Sequence, residues 1–383
     1  MRWSTAAPRL ALAALVAGCD PADLADAEAS AESTGGEAPP SAWVELDATR
    51  FASDGESETL TIPAQAPGAV VALRATTAAD VCFQLSALVD GEGRELVAGR
   101  SAGPYCRDCA LRSSAAAASG VFVFAGEPGV FAPERGLELR FARLRCETLT
   151  PLTAADDAPP LRLELQTFEA APEPAAIDLR FLIGEASILR GDAARQEALL
   201  QALAAELSSA GIVPRLVDAQ PLDPLAVELR FHAGDPSALA DALAAAPAKA
   251  EATVDVVFAG CLLYDDPVFG PPRALSGYTP RIPGGAGEAD AVYMPGLDCV
   301  APDAEPAAIP VELQARVLAH ELGHYLGLYH AVEEDGGSDT LADTGPDNIM
   351  HFNPTRAAAV GFSPSQGAVM RTHPAVRGAD AAG

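Results

Sequence analysis

The alternation of apolar and polar positions divides the chain into four stretches. Arg2 and Arg9 precede an apolar run from Leu10 to Ala17, too short for a permanent membrane helix, so residues 1–19 read as an export signal. Residues 20–42 carry scarcely any large apolar side chain and are expected to form a flexible acidic tether. From Trp43 to about Phe168 short apolar runs recur at 58–62, 69–73, 121–124 and 137–141, separated by Gly, Pro and Asp clusters and without helical periodicity. That pattern predicts an antiparallel β-sandwich or jelly-roll, giving a β-rich unit over 43–170. Prolines and acids at 171–176 mark the passage to the last unit, 171–383. There the order is strand 177–183, helix 193–207, strand 227–231, helix near 236–245 and strand 254–258, an arrangement in which helices cover a twisted sheet. A further helix starts near Pro310 and runs from Val311 to about Leu326. The last one begins at an N-cap Ser363, followed by Pro364, and includes Met370.

Chemistry concentrates at 320–330, His-Glu-Leu-Gly-His-Tyr-Leu-Gly-Leu-Tyr-His. His320 and His324 are four residues apart, so on a helix they share a face and can grip one metal ion. Glu321 stands beside them, within reach of water at such an ion. Gly327 can adopt backbone angles closed to other residues, ending the helix so that His330 folds back as a third ligand. Three protein ligands with an open fourth position are the mark of a catalytic zinc site. Histidines at helical spacing also occur as core or surface residues, and His-Glu-x-x-His alone is weak; the third histidine and the glycine carry the specificity. Tyr329, His351, His232 and His373 receive no role. The acidic loop from Glu333 to Asp347 reads as solvated, with calcium binding as the alternative, because it lacks EF-hand spacing.

With this motif the chain resembles the metzincin metalloproteases, whose long signature is followed by a methionine in a tight turn beneath the metal. Met350, in Asn348-Ile349-Met350-His351, is the matching methionine. The runs 326–330, Asp343-Thr344, 348–350 and Phe362-Ser363-Pro364-Ser365-Gln366 are most similar to the pappalysin family and related bacterial secreted proteases; the resemblance covers about 177–373. It implies an α+β fold: a zincin catalytic domain, with a twisted mixed sheet and an active-site helix, behind the β-rich unit. It further implies one catalytic Zn2+ and a protein or peptide substrate. Residues 275–280 lie where metzincins place the edge strand above the cleft, so substrate is expected at Gly277 and Tyr278, with a plain loop as the alternative. Two departures stand out: Phe352 occupies the position where some metzincins carry a switching tyrosine, and the loop between His330 and Met350 is short and lacks the cysteines usual in pappalysins.

Small residues before Cys19 resemble a bacterial lipobox, which would make Cys19 a lipidated N-terminus and the protein an envelope lipoprotein anchored in a membrane; an ordinary cleaved signal is the alternative. Setting Cys19 aside leaves six cysteines, an even set suited to disulfides in an oxidising compartment. Proximity pairs Cys261 with Cys299 and leaves Cys82, Cys106, Cys109 and Cys146 to pair among themselves. The β-rich unit reads as accessory; an inhibitory propeptide using Asp108 or a free thiol at Cys82, Cys106 or Cys109 is the alternative. A formal charge of -28 with a single lysine, Lys249, excludes nucleic acid as a partner, since phosphates require basic clusters. The expected activity is zinc-dependent endopeptidase; a surface-anchored binding or adhesion lipoprotein with a non-catalytic zinc site is the rival, and an amidase acting on cell-wall peptides a second.

Overall fold

A computed structural model describes residues 42–379 except 67–68, 78–80, 99–118, 126–134, 147, 154–160, 224, 226, 233–236, 251, 266–271, 288, 300–306 and 357–359. The export signal with Cys19, nearly all of the tether, and Cys106, Asp108 and Cys109 lie outside the described residues.

The first half is built from β1 (Val44–Thr49), β2 (Leu60–Ile62), β3 (Ala69–Thr76), β4 (Val81–Asp90), β5 (Glu95–Ala98), β6 (Ser119–Ala125), β7 (Leu137–Arg145) and β8 (Leu161–Glu169). They pair antiparallel in two four-stranded sheets, ordered β1-β8-β3-β6 and β2-β7-β4-β5. In β7 the apolar Leu137, Leu139 and Phe141 are buried while Glu138 and Arg140 between them are exposed, the period of a half-buried strand. Apolar side chains of both sheets, among them Leu73, Phe122 and Leu163 from one and Phe83, Leu139 and Phe141 from the other, share one core. Phe83, Phe122 and Phe141 meet there with ring centroids 5.5–6.1 Å apart, an inter-sheet aromatic contact.

The second half follows a different rule. Strand β9 (Ala175–Ile183) and strand β12 (Val254–Ala259) are buried almost without alternation, as expected for parallel strands covered on both faces. With β10 (Ile212–Pro221) and β15 (Val292–Pro295) they form a parallel sheet ordered β10-β9-β12-β15; β16 (Val376–Gly378) pairs antiparallel with the start of β9, making the sheet mixed. Strands β11 (Glu228–Phe231), β13 (Cys261–Tyr264) and β14 (Arg273–Ala274) make a small second sheet. Helix α1 (Ala193–Leu207) buries Leu199, Leu203 and Leu207, a four-residue spacing that lines one face, and packs on α3 (Val311–Tyr325). Helix α2 (Ser237–Ala244) sits on the small sheet, and α4 (Pro364–Arg371) precedes β16. Side chains of α1, α3, β9, β12 and β15 share a core with Met350, Phe362 and Met370. Among the described residues no helix is long and apolar enough to cross a membrane.

Expected helices 193–207 and 311–326 correspond closely to α1 and α3, and α4 begins at Ser363 with a full capping box, its hydroxyl receiving the Gln366 N–H while Gln366 Oε1 receives the Ser363 N–H. The expectation that 275–280 forms an edge strand needs correction. Only Tyr278 makes a bridge, exchanging both backbone bonds with Tyr293 at 2.9 Å, and β14 ends before this segment. Proline at 280 and glycine at 277 deny a longer ladder there.

Cys261 is bridged to Cys299, as proximity suggested, and Cys82 to Cys146. The first bridge ties β13 to the segment just beyond β15 over a separation of 38 residues, worth at most about 4 kcal/mol through restriction of the unfolded chain. A Cys261→Ser/Cys299→Ser variant is expected to melt roughly 10 °C lower, and wild type in strong reductant, where Cys82–Cys146 opens as well, should lose at least as much; calorimetry with and without dithiothreitol checks both.

Candidate metal centre

Helix α3 is buried from Ala315 to Tyr325 except at Arg316, and His320, Glu321 and His324 lie within that buried stretch. Gln314, itself buried, anchors the helix by donating from Nε2 to the carbonyl of Pro295 at the end of β15. The helix stops in a Schellman arrangement: the Gly327 N–H reaches the His324 carbonyl at 3.0 Å and the Leu328 N–H reaches the Gly323 carbonyl at 2.8 Å. Gly327 has φ +106°, a conformation that side chains resist, which is why glycine sits at this position. The reversal carries His330 back toward the helix.

The three rings then face one another, with centroids 4.6 Å (His320–His324), 4.8 Å (His324–His330) and 5.3 Å (His320–His330) apart. One nitrogen from each lies within 4.8 Å of the others, and this is the one metal-sized group of such ligands among the described residues. Each Nδ1 is engaged outward: His320 with the Ile349 carbonyl at 2.9 Å, His324 with the Leu328 carbonyl at 2.7 Å, His330 with Glu333 Oε2 at 2.9 Å. Those acceptors call for Nδ1–H, which turns each Nε2 inward as the atom available to a metal. His324 Nε2 and His330 Nε2 are 3.2 Å apart. Two lone pairs at that distance repel unless a cation lies between them, and nitrogens about 2.1 Å from one tetrahedral ion stand about 3.4 Å apart. The donor set therefore fits a zinc ion. Burial and the nearby His330 push the His320 imidazole down to about 3, and burial with His320 and His330 holds His324 well below the usual range, so both stay unprotonated and able to ligate at neutral pH.

Glu321 is buried beside the triad, and its burial pushes the carboxyl up to about 7, against the pull of the Thr279 hydroxyl. Thr279 Oγ1 stands 2.8 Å from Glu321 Oε2 and 2.9 Å from the Glu321 carbonyl, bridging side chain and helix backbone. Gly277 lies directly over this carboxylate: a Cβ there would sit 2.7 Å from Glu321 Cγ and 2.8 Å from Oε1. Tyr278 stacks on Phe231, centroids 4.4 Å apart, and belongs to the rim of the core under the small sheet.

Met350 is fully buried in a turn against the helix, its sulfur 2.6 Å from where a Cβ on Gly323 would be. The turn is braced: Asn348 Oδ1 receives the Met350 N–H at 2.9 Å and the Gln366 amide at 3.0 Å, while Asn348 Nδ2 donates to Gln366 Oε1 at 2.9 Å. Asp343 receives the Ser363 hydroxyl and the Ser365 N–H, so the three runs 343–344, 348–350 and 362–366 noted in the sequence meet as one network. Phe352 is 38% exposed and stacks beside His351. His373 is buried far along the chain, its Nε2 on the Gly284 carbonyl at 3.2 Å, and burial pushes it down to about 4. Acidic side chains of the 333–347 loop are engaged separately, Glu333 on His330, Asp335 on the Gly337 N–H, Asp339 on the Leu341 N–H and Thr344.

Four partners of the site escaped the sequence reading: Thr279, Glu333 and the carbonyls of Leu328 and Ile349. Glu333, three residues after His330, carried a local signal; Thr279, 42 residues from Glu321, carried none.

No protein-family model and no curated protein sequence matches the chain. Solved structures similar to it include metalloproteinase-II from Bacteroides fragilis, at 14% identity and TM-score 0.34 over 52% of this chain and 53% of that one. Archaemetzincin from Methanopyrus kandleri is another, at 16% identity and TM-score 0.28 over 53% of this chain and 89% of that one. The chain thus spans about half the length of the Bacteroides protein. Likeness this loose carries no functional weight; the donor geometry does.

Glu333→Ala is expected to weaken zinc binding about ten- to a hundredfold, with Glu334→Ala unchanged, in a chelator competition titration. The zinc-free protein should lose stability as pH falls from about 6.5: the unfolded chain then binds protons that His320 refuses down to about 3 and His373 down to about 4. His373 alone contributes roughly 3 kcal/mol to that loss. Glu321 acts oppositely, its contribution fading as pH rises from 4.5 through about 7. Thermal melts of apoprotein, wild type against His373→Gln, check the acid limb; a flat wild-type profile between pH 6.5 and 4 would refute it.

Proposed function

We propose that the chain is a zinc-dependent endopeptidase of metzincin type, with residues 171–383 as its catalytic part and 43–170 as an accessory β-unit. The observation that carries this is the convergence of three imidazoles, with His324 Nε2 and His330 Nε2 3.2 Å apart, beside a buried carboxylate. His320, His324 and His330 would hold the ion, with Met350 as the floor under it. When bound, zinc polarises a carbonyl and acidifies water.

Glu321 does the proton work. With its carboxyl near 7, it can accept a proton from water at about neutral pH and release it to the leaving amine nitrogen. Thr279 fixes the carboxylate so that the proton is taken at a defined place. Because the N–H and C=O of Tyr278 point at Tyr293, those of Gly277 and Thr279 point the other way, and an extended peptide can bond to them there. A protein or peptide in that position would pass its backbone beside Glu321.

A binding or adhesion protein with a non-catalytic metal site has no use for a buried carboxylate with a raised pKa against its ligands. Calcium in the acidic loop is the weaker reading, since those carboxylates are individually engaged. Export as a lipoprotein through Cys19, with a membrane-anchored envelope location, remains part of the proposal on sequence grounds.

Purified protein loaded with zinc should cleave denatured casein. Glu321→Gln is expected to lower kcat by about two to four orders of magnitude while keeping the metal, whereas His320→Ala should lose both. Cleavage by Glu321→Gln at the wild-type rate would sink the mechanism.

A further inference from the structure

The segment that covers Glu321 has little backbone pairing of its own. After the Tyr278 bridge, residues 279–287 run without a strand, yet Pro280, Arg281, Pro283 and Gly284 are buried. Side chains hold this segment in place. Arg281, 3% exposed, donates from Nε to Asp290 Oδ1 at 2.7 Å, and the other oxygen of Asp290 receives the N–H groups of Gly285, Ala286 and Gly287 at 2.7–2.9 Å. The Arg281 Nη1 crosses to the first half of the chain, donating to Ser119 Oγ at 2.6 Å and to the Ser119 carbonyl at 3.1 Å. Ser119 is the first residue of β6 and pairs in register with Thr76 of β3, so it is fixed by a sheet. A buried guanidinium must be met by charge and by acceptors, and Ser119 provides two of them.

The site lies two residues away. Thr279, which bonds Glu321, is separated from Arg281 by Pro280 alone, and Gly284 beyond it donates to the carbonyl of Tyr325, the last residue of α3. The cores of the two halves share no residue, so this polar handle is a specific tie between them. Among the described residues, none of the hydrogen bonds of His320, Glu321, His324 or His330 reaches a residue of β1–β8.

We propose that Ser119 and Arg281 are positioning residues: the N-terminal β-unit, through them, holds residues 279–290 so that Thr279 keeps the Glu321 carboxylate in place. The part concerning Glu321 rests on the peptidase reading. On this basis the sheets support the working enzyme and do not block it, and the strain of losing them would fall on the base before it reached the metal.

The test is Ser119→Ala, with Ser119→Thr as the variant that keeps the hydroxyl, each in the full chain loaded with zinc. Hydrogen exchange in peptides covering 279–290 should quicken roughly three- to tenfold in Ser119→Ala, with peptides of β3 and β8 unchanged. On a peptide substrate kcat should fall about three- to tenfold with KM and zinc affinity held within twofold, and Ser119→Thr should restore both exchange and kcat. Unchanged exchange at 279–290 overturns the tether whatever the activity; faster exchange with unchanged kcat overturns the positioning of Glu321. If wild type cleaves nothing while exchange still quickens, the peptidase reading and the Glu321 half fall and the tether stands.

Discussion

Two imidazole nitrogens facing each other at 3.2 Å, their rings already engaged at the opposite nitrogens, form the constraint around which the second half of this protein is organised. Such a pair calls for a cation between its nitrogens, and without one the fold must hold the rings together by force. The force comes from outside the rings. Two backbone carbonyls and one carboxylate pin the three Nδ1–H groups, and each acceptor belongs to a different piece of chain: Ile349 in the methionine turn, Leu328 in the helix stop, Glu333 in the acidic loop. Remove any one and a ring is free to turn its lone pair elsewhere.

Those acceptors are in turn secured by elements with no chemistry of their own. Ile349 is set by the turn that Asn348 and Gln366 lock from the start of α4, and that helix is placed by a capping box and by Asp343. Leu328 is set by Gly327, the only residue type that enters the required backbone region without cost. The covering segment of Gly277 and Thr279 sits over Glu321 because glycine leaves the carboxylate its space. Ligand, support and outer support thus form successive shells, which is how a site is kept to fractions of an ångström.

Much of this was legible in the sequence because it is local. The spacing of His320, His324, Gly327 and His330 is a statement about one helix and its end; periodicity places α1, Pro310 the start of α3 and the Ser363 cap the start of α4 within a residue or two. Short alternating runs were enough for two antiparallel sheets in the first half. Parallel strands β10, β13 and β15 were missed, since their burial and pairing depend on neighbours far away in the chain, and a run such as 292–295 is too short to show a period. The segment 275–280 was open between an edge strand, from its likeness in position, and a plain loop, and its proline and glycine leave one bridge. Thr279 and Ser119 were invisible for the same reason: each acts over a long loop on a partner that no local pattern names.

The helix stop has a consequence for how such a chain can vary through descent. Leu328 supplies the backbone acceptor for one ligand while lying only two positions before another, so the stretch from His324 to His330 tolerates neither insertion nor deletion: a single added residue would misplace both rings together. The exposed turn at 334–336 carries no such double duty, since only Glu333 before it touches a ligand. Divergent copies of this chain would therefore drift in length on one side of Glu333 and be frozen in length on the other.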